Sequence, residues 1–413
     1  MVTFDLTVDA TVQESTPPSG TTVSQYASNP ILDAGSSGEW DDDIIQDTNI
    51  VEVSGTYYLF YSGATSDTSG NFDGMQIGVA SSSDGETFSK NANNPILTLG
   101  SGGSWDDYSV RSPDIIKQDS TYYMGYSGMS DGSTVSLGLA STSDTDFPTG
   151  WSKESSVNPI LTSSDILGSY GPNRADIRFW DNQYHLWYQM GGGGISSDSH
   201  ISFATLPDGT DLPSANWTET ADAPIIETKS GTFRSNLVES PHPFTRDGNR
   251  YVYFDGWTGS LLHGGIAYKE SEGNWTVFES GLDTTESGED EGGHGAFLPG
   301  AFDGASSLTG DDEAVFFYAS RDSSTEDWDI HRLTFGNLQT ALQPGSSGIT
   351  VHEDSSGDGT ADNSATQTLS DGVNTYSLSG FDGSSGNEVW AVLNMDADDL
   401  TQTPVINSVE LQV

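Results

Sequence analysis

Asn29-Pro30-Ile31-Leu32, Trp40-Asp41-Asp42 and Tyr57-Tyr58-Leu59-Phe60-Tyr61-Ser62-Gly63 form a stretch that the chain repeats. It returns without a gap as Asn94-Pro95-Ile96-Leu97, Trp105-Asp106-Asp107 and Tyr122-Tyr123-Met124-Gly125-Tyr126-Ser127-Gly128. A third copy opens at Asn158-Pro159-Ile160-Leu161 and a worn fourth at Ala223-Pro224-Ile225-Ile226, so the prolines stand 65, 64 and 65 residues apart. A fixed period of this length marks units that bury their apolar faces only by stacking on one another.

Within each copy, short apolar segments alternate with Gly, Ser and Asp turns, which is the pattern of strands and not of helices. The innermost strand is expected over 49–53, 114–117 and 176–179, and the aromatic strand over 57–61, 122–126 and 184–188. A third strand follows at 77–81, 137–141 and 201–204, then a short outer one around Phe88, Trp151, Trp217 and Trp275. The fourth copy carries its inner and aromatic strands between Val238 and Gly256, and a divergent fifth runs from His294 to Leu333. Five four-stranded units in a ring predict an all-β fold, a five-bladed β-propeller over residues 21–340 with a central funnel.

The pattern changes after Pro344-Gly345-Ser346-Ser347-Gly348. About five alternating segments over 341–413 predict a small β-sandwich domain. Residues 1–20 read as an N-terminal strand and linker: Phe4, Leu6, Val8, Ala10 and Val12 alternate with polar residues, and Pro17-Pro18-Ser19-Gly20 breaks the run. This first strand either joins the C-terminal domain or closes the last repeat; the pattern leaves both open.

Only 13 Lys+Arg stand against 61 Asp+Glu in 413 residues, a formal charge of −48. Such a field repels nucleic acid phosphates and anionic membrane surfaces, and no apolar run is long enough for a membrane span, so neither nucleic acid binding nor membrane insertion is expected. The acid is interspersed with 10 Trp, 16 Tyr and 17 Phe, whereas acidic disordered chains are poor in aromatics. A folded protein with an acidic surface, adapted to high salt, is the expectation. There is no cysteine, so disulfides and thiolate chemistry are excluded. The first residues have neither a basic n-region nor an apolar h-region, so no signal peptide is read there.

The order Asn-Pro-Ile-Leu, Trp-Asp, inner strand, aromatic strand and Gly-x-Ala-Ser resembles the five-bladed propeller glycoside hydrolases of families 43, 32 and 62 and the mannoside phosphorylases of family 130, over about residues 25–335. The resemblance to family 43 implies three acids on inner strands of different blades: a general base, a carboxylate that tunes the site and a general acid. Glu239-Ser240-Pro241-His242 resembles that family's Glu-Gly-Pro-His motif and implies Glu239 as acid. Asp47-Thr48-Asn49 stands in the place of its Asp-Pro base motif and implies Asp47 as base. In the third blade Arg174-Ala175-Asp176 departs from the expected Asp-Pro, so Asp176 takes the tuning role only with a shift of register.

Eight arginines remain in so acidic a chain, and Arg111, Arg174 and Arg178 lie at inner strands. There they bind ligand oxygens bidentately or form buried ion pairs with a neighbour such as Asp176, and Arg178 fits the structural role best. Asp114, His242 and His294 begin inner strands and join the ligand-binding candidates. So does Trp257, with Tyr108 and Tyr170, because an aromatic face stacks on the C–H face of a sugar. The two histidines either hydrogen-bond a ligand hydroxyl or help hold a cation in the funnel; scattered as they are, they make a weak metal signal, and no cofactor is required. Asp354 to Asn363 is an oxygen-rich loop that fits either Ca²⁺ or a plain acidic turn, without the spacing of an EF-hand.

Two functions are consistent with this pattern. One is recognition of surface glycans by a glycosidase-like propeller; the other is an active extracellular glycoside hydrolase with Glu239 as acid and Asp47 as base. The run Thr403 to Leu411 resembles the last strand of β-sandwich domains in tail and baseplate proteins of tailed viruses. With the missing leader it points to a virion appendage of a virus of a halophilic archaeon, in contact with other virion proteins or further copies of itself; a secreted cellular glycosidase is the alternative. If the acidity is an adaptation to brine, the unfolding temperature rises by several degrees from dilute buffer to molar KCl, because salt screens the self-repulsion. Thermal melts across a salt series check this, and a flat or falling trend contradicts it.

Overall fold

The computed structural model describes residues 4–11, 22–65, 74–132, 134–166, 171–190, 199–246, 249–259, 262–269, 275–278, 282, 289–297, 313–322, 328–336, 348–354, 363–368, 372–378, 388–394 and 405–412. These divide into two compact units: residues 22–338, and residues 1–21 with 339–413. No helix occurs among the described residues.

The larger unit is the five-bladed propeller. Its inner strands are Ile44–Val53, Ser109–Gln118, Asn173–Trp180, Leu237–Arg246 and Glu289–Phe297. Each contacts the next in order, and the fifth returns to the first, which closes the ring. Antiparallel partners follow outward, ending in Ser89–Lys90, Ser152–Lys153, Thr218–Glu219 and Trp275–Val277 in blades one to four. The fifth blade takes its outer strand from the other end of the propeller: Thr22–Gln25 pairs with Trp328–Gly336. The first three inner strands begin earlier than the alternation indicates, because a β-bulge carries pairing through the irregular residues at their starts.

The repeated motif ties each blade to the segments entering and leaving it. Asn94 Oδ1 accepts the Val79 N–H at 3.0 Å, while its Nδ2 donates to the Val79 carbonyl at 3.0 Å and to the Tyr61 hydroxyl at 3.1 Å. Asn158 does the same to Leu139 and Tyr126, and Asn29 to the backbone of Arg332. Tyr61 and Tyr126 donate to Asp41 and Asp106, which also bind Lys90 at 2.8 Å and Lys153 at 2.6 Å. Burial pushes both phenols far above their ordinary range, so they remain donors. Trp40 stacks on Tyr61 and Trp105 on Tyr126. A side chain at Gly78 would bring its Cβ to 2.7 Å from the Tyr61 ring and 2.8 Å from Trp40. Such overpacking costs about 1–3 kcal/mol, which explains the glycine of the third strand.

The apolar core lies between blades. Phe60 and Val79 pack on Val110, Met124 and Trp151. Leu139 packs with Ile177, Leu186 and Trp217 across the next interface, and Trp187 with Val238, Val252 and Phe254 across the one after. The Trp and Tyr positions recur because each blade has to present the same wedge to its neighbour.

The smaller unit is a β-sandwich built from two three-stranded antiparallel sheets. One has Phe4–Thr11 at its centre, between Gly372–Leu378 and Val405–Gln412, with Leu6 opposite Tyr376 and Leu411. The other places Gly348–Asp354 between Asn363–Thr368 and Glu388–Asn394. The N-terminal strand thus joins the C-terminal unit, and the chain builds the propeller between two visits to the sandwich. Deleting residues 1–11 removes the central strand of that sheet. Limited proteolysis of the truncated protein should then degrade residues 339–413 while the 22–338 fragment stays resistant; equal resistance of both units contradicts the pairing.

Candidate functional site

The inner strands share one irregularity. Their ladders slip between Gln46 and Asn49, Arg111 and Asp114, Asn173 and Asp176, Glu239 and His242, and Gly293 and Ala296. In four blades the first inserted residue is left-handed although it is not glycine: Asp47 at φ 54°, Ser112 at 55°, Arg174 at 57° and Ser240 at 52°. Such a conformation costs about 1–3 kcal/mol and persists only where its surroundings enforce it. Part of that enforcement comes from the serine of the Tyr-Ser-Gly motif. Ser62 Oγ accepts the Ser112 N–H at 2.8 Å, and Ser127 Oγ accepts the Arg174 N–H at 2.9 Å. The aromatic strand of one blade therefore holds the bulge of the next.

These bulges line one pocket on the propeller axis. Asp47, Ser112, Arg174 and Ser240 form one layer of its wall; Asn49, Asp114, Asp176 and His242 form a second, two residues further along each strand.

Arg174 organises the first layer. Its Nη1 lies 2.9 Å from Asp47 Oδ1 and donates to Ser240 Oγ at 2.7 Å, and its Nη2 lies 3.6 Å from Glu239 Oε2. Asp47 Oδ2 accepts from Ser62 at 3.2 Å and Ser112 at 2.9 Å, with Arg111 Nη1 at 4.0 Å. Arg111 is fully buried behind this layer. One guanidinium thus bridges the two residues expected as base and acid.

The second layer is a hydrogen-bonded belt across all five blades. Asn49 Nδ2 donates to Asp114 Oδ1 at 2.9 Å, and the Ile177 N–H donates to Asp114 Oδ2 at 2.7 Å. Arg178 joins Asp114 at 3.3 Å to both oxygens of Asp176, at 2.8 and 2.9 Å. His242 Nδ1 lies 3.0 Å from Asp176 Oδ2, and its Nε2 accepts the Phe297 N–H at 3.4 Å. With Nε2 accepting, the proton sits on Nδ1 and is donated to Asp176. Burial, then the Arg178 charge, push His242 down to about 3, so the ring stays neutral. Burial pushes Asp176 up to about 7 against the pull of Arg178. Burial and the neighbouring Asp176 raise Asp114 to about 6.

Of the residues singled out from sequence, Asp47, Asp114, Arg174, Asp176 and His242 line the pocket. Glu239 and Arg111 stand beside it, joined through Arg174 and Asp47. Asp176 is engaged by Arg178 and His242 in the second layer, while Arg174 holds the position opposite Asp47. Trp257 is half-buried, pairs with Leu237 two residues before Glu239, and is not among the described residues lining the pocket. Tyr108 is also half-buried and lies outside the lining. The His294 backbone lies in the fifth bulge, but its side chain, like Tyr170 and residues 355–362 of the acidic loop, falls outside the described residues. Asn49, Ser112 and Ser240 were not picked out individually, although they stand in the divergent stretches at the starts of the inner strands that carry the other candidates. No cluster of three or more His, Asp or Glu side chains suited to a metal ion occurs among the described residues.

The chain is 25% identical over 158 residues to the extracellular endo-α-(1→5)-L-arabinanase 1 of Bacillus subtilis, 37% of this chain and 45% of that protein. It thus spans under half the length of that relative. It is 24% identical over 233 residues, 55% of this chain and 72% of the other, to an uncharacterized protein of Mycobacterium tuberculosis. A glycosyl hydrolase from Bacteroides ovatus superposes with a TM-score of 0.57 at 13% identity, covering 78% of this chain and 96% of that one. A family 117 glycoside hydrolase from Zobellia galactanivorans gives 0.54 at 14% identity, covering 77% and 91%. The fold is that of the propeller glycoside hydrolases. No family model matches the chain. At such identities the likeness concerns this propeller's fold and leaves its chemistry to the site.

The belt has an opposed pH linkage. Asp176 moves from the ordinary 3.8 up to about 7 on folding, so its stabilising contribution is lost as pH rises between those values. His242 moves from 6.5 down to about 3, so its contribution is lost as pH falls through that window. Asp176→Asn removes the first, relieves part of the upward shift of Asp114, which acts in the same direction, and leaves the His242 contribution. From about pH 4 to pH 7 the variant therefore gains stability relative to the wild type, by up to about 1.4 kcal/mol per pH unit from Asp176 itself. Urea denaturation of both proteins across that range checks the sign; parallel profiles contradict it.

Proposed function

We propose that the propeller recognises a glycan in its axial pocket and that hydrolysis is not its principal task. The observation that carries this reading is Arg174. It stands where the resemblance implies a carboxylate, and it binds both Asp47 and Glu239. Glycosidase chemistry needs the scissile bond to lie between two carboxyl groups, and here a guanidinium that contacts both lies between them. The pocket instead offers the convergent polar groups that fix a ligand's orientation. The glycosidase-like fold supports a carbohydrate as the ligand class, and the extracellular arabinanase relative supports a place outside the cell. The virion setting draws no support from either.

Hydrolysis is the second reading, favoured by the convergence of Asp47 from the first blade and Glu239 from the fourth on one guanidinium. Glycosidase chemistry needs two carboxyl groups flanking the scissile bond, and a sugar that displaced Arg174 would lie between them. The two readings separate in one experiment: arabinan and mannan oligosaccharides are mixed with the protein at high salt, and binding and reducing-end release are followed, with Glu239→Gln in parallel. Recognition predicts saturable binding with no release by the wild type, and binding kept within about tenfold in the variant. Release by the wild type that Glu239→Gln abolishes overturns this reading and establishes the hydrolase.

A further inference from the structure

The outer strands repeat a small pattern of their own. Thr87-Phe88-Ser89, Gly150-Trp151-Ser152, Asn216-Trp217-Thr218 and Asn274-Trp275-Thr276 stand at the same place in the first four blades; Asn274 lies outside the described residues. In the first three blades the aromatic residue is buried and the residue after it is exposed. The tryptophan anchors the turn: Trp151 Nε1 donates to the Pro148 carbonyl at 2.8 Å, and Trp217 Nε1 to the Ser214 carbonyl at 3.0 Å. Neighbouring side chains of an extended segment point to opposite sides, so burying Trp217 turns Asn216 and Thr218 outward together, and both are exposed.

The repeat accounts for the aromatic residue and the hydroxyl residue after it, and not for the asparagine. At the corresponding place Gly150 is left-handed, φ 72°, a conformation in which asparagine is the usual second choice, but Asn216 does not adopt it. The Asn216 backbone N–H donates to Ser214 Oγ at 3.2 Å, while its side-chain amide makes no hydrogen bond among the described residues, and neither does the Thr218 hydroxyl. Asn-x-Ser or Asn-x-Thr, with x other than proline, is the acceptor sequence of N-linked glycosylation, and its use requires a surface position. Two sequences of this form occur in the chain, and both fall at this place in consecutive blades. Thr218–Glu219 is the outermost strand of its blade, three strands out from the one that lines the axial pocket. A sheet edge offers backbone groups for pairing with other chains, and a bulky hydrophilic chain beside it blocks that contact.

We infer that Asn216 is an N-glycosylation site. Its Nδ2 attacks the anomeric carbon of a lipid-linked oligosaccharide, and a C–N bond forms there as the bond from that carbon to the lipid phosphate oxygen breaks. The lipid phosphate leaves with the bonding pair, and the amide nitrogen gives up one proton. A transferase of the producing cell catalyses the step, and Thr218 supplies the hydroxyl that the acceptor sequence requires. The inference rests on the place outside the cell proposed above and is independent of what the axial pocket binds.

The test is peptide mass spectrometry of the whole protein, recovered from the medium of a halophilic host that N-glycosylates its own secreted proteins and directed there by a cleavable leader. The inference expects a glycan mass increment on the peptide containing Asn216, kept in Thr218→Ser and lost in both Asn216→Gln and Thr218→Ala. An unmodified peptide in the secreted wild type overturns it. So does an increment that survives on that peptide in Asn216→Gln or in Thr218→Ala. Titration of the same protein with the arabinan and mannan oligosaccharides keeps the two readings apart. Sugar binding by a protein without the increment leaves the pocket reading standing, and a modified protein that binds no sugar leaves this inference standing.

Discussion

The site depends on one constraint, the extra residue that each inner strand carries in its ladder. In a regular strand neighbouring side chains point to opposite faces, so Glu239 and Ser240 would not meet the same partner. The bulge, with its left-handed first residue, turns both towards Arg174. The same insertion in the other blades brings Asp47, Ser112 and Arg174 into one layer and Asn49, Asp114, Asp176 and His242 into the next. The strain is held from the adjacent blade by Ser62 and Ser127, so site geometry and ring closure are coupled.

Positive charge is the scarce resource of this chain, and its placement follows from burial. Three of the eight arginines serve the axial pocket, where the four carboxylates Asp47, Asp114, Asp176 and Glu239 would otherwise face one another unpaired. Removing one partner of a buried pair costs about 3–5 kcal/mol, which is reason enough to keep these cations in a sequence that has shed most others. Lys90 and Lys153 show the same economy at the blade clips, each bound to the aspartate that receives a buried tyrosine hydroxyl.

The architecture was legible because each blade solves the same packing problem. Asn94, Tyr61 and Asp41 recur as Asn158, Tyr126 and Asp106 since the hydrogen bonds that tie each blade to the segments entering and leaving it need the same groups in the same places. The site was legible only where a copy broke the pattern with a charge, as at Arg174 and Glu239. Asn49 and Ser112 were not picked out individually because a small polar residue in a Ser- and Asn-rich chain looks like any turn residue until its partners are known. The N-terminal strand was legible as a strand but not in its destination, because its partners lie more than 360 residues away and alternation encodes a face, not a neighbour.

The sequence by itself determined the strand pattern, the five-fold repeat and the register at which the copies diverge, since these follow from local alternation and from packing rules that each blade satisfies separately. Tertiary structure alone decided that Thr22–Gln25 closes the fifth blade, that Phe4–Thr11 centres a sheet of the sandwich, and that Arg174 bridges Asp47 to Glu239 while Arg178 gathers Asp114 and Asp176. Each of these joins groups from distant parts of the chain. Which acid an arginine pairs with is set by where three strands meet, and a linear pattern does not carry that information.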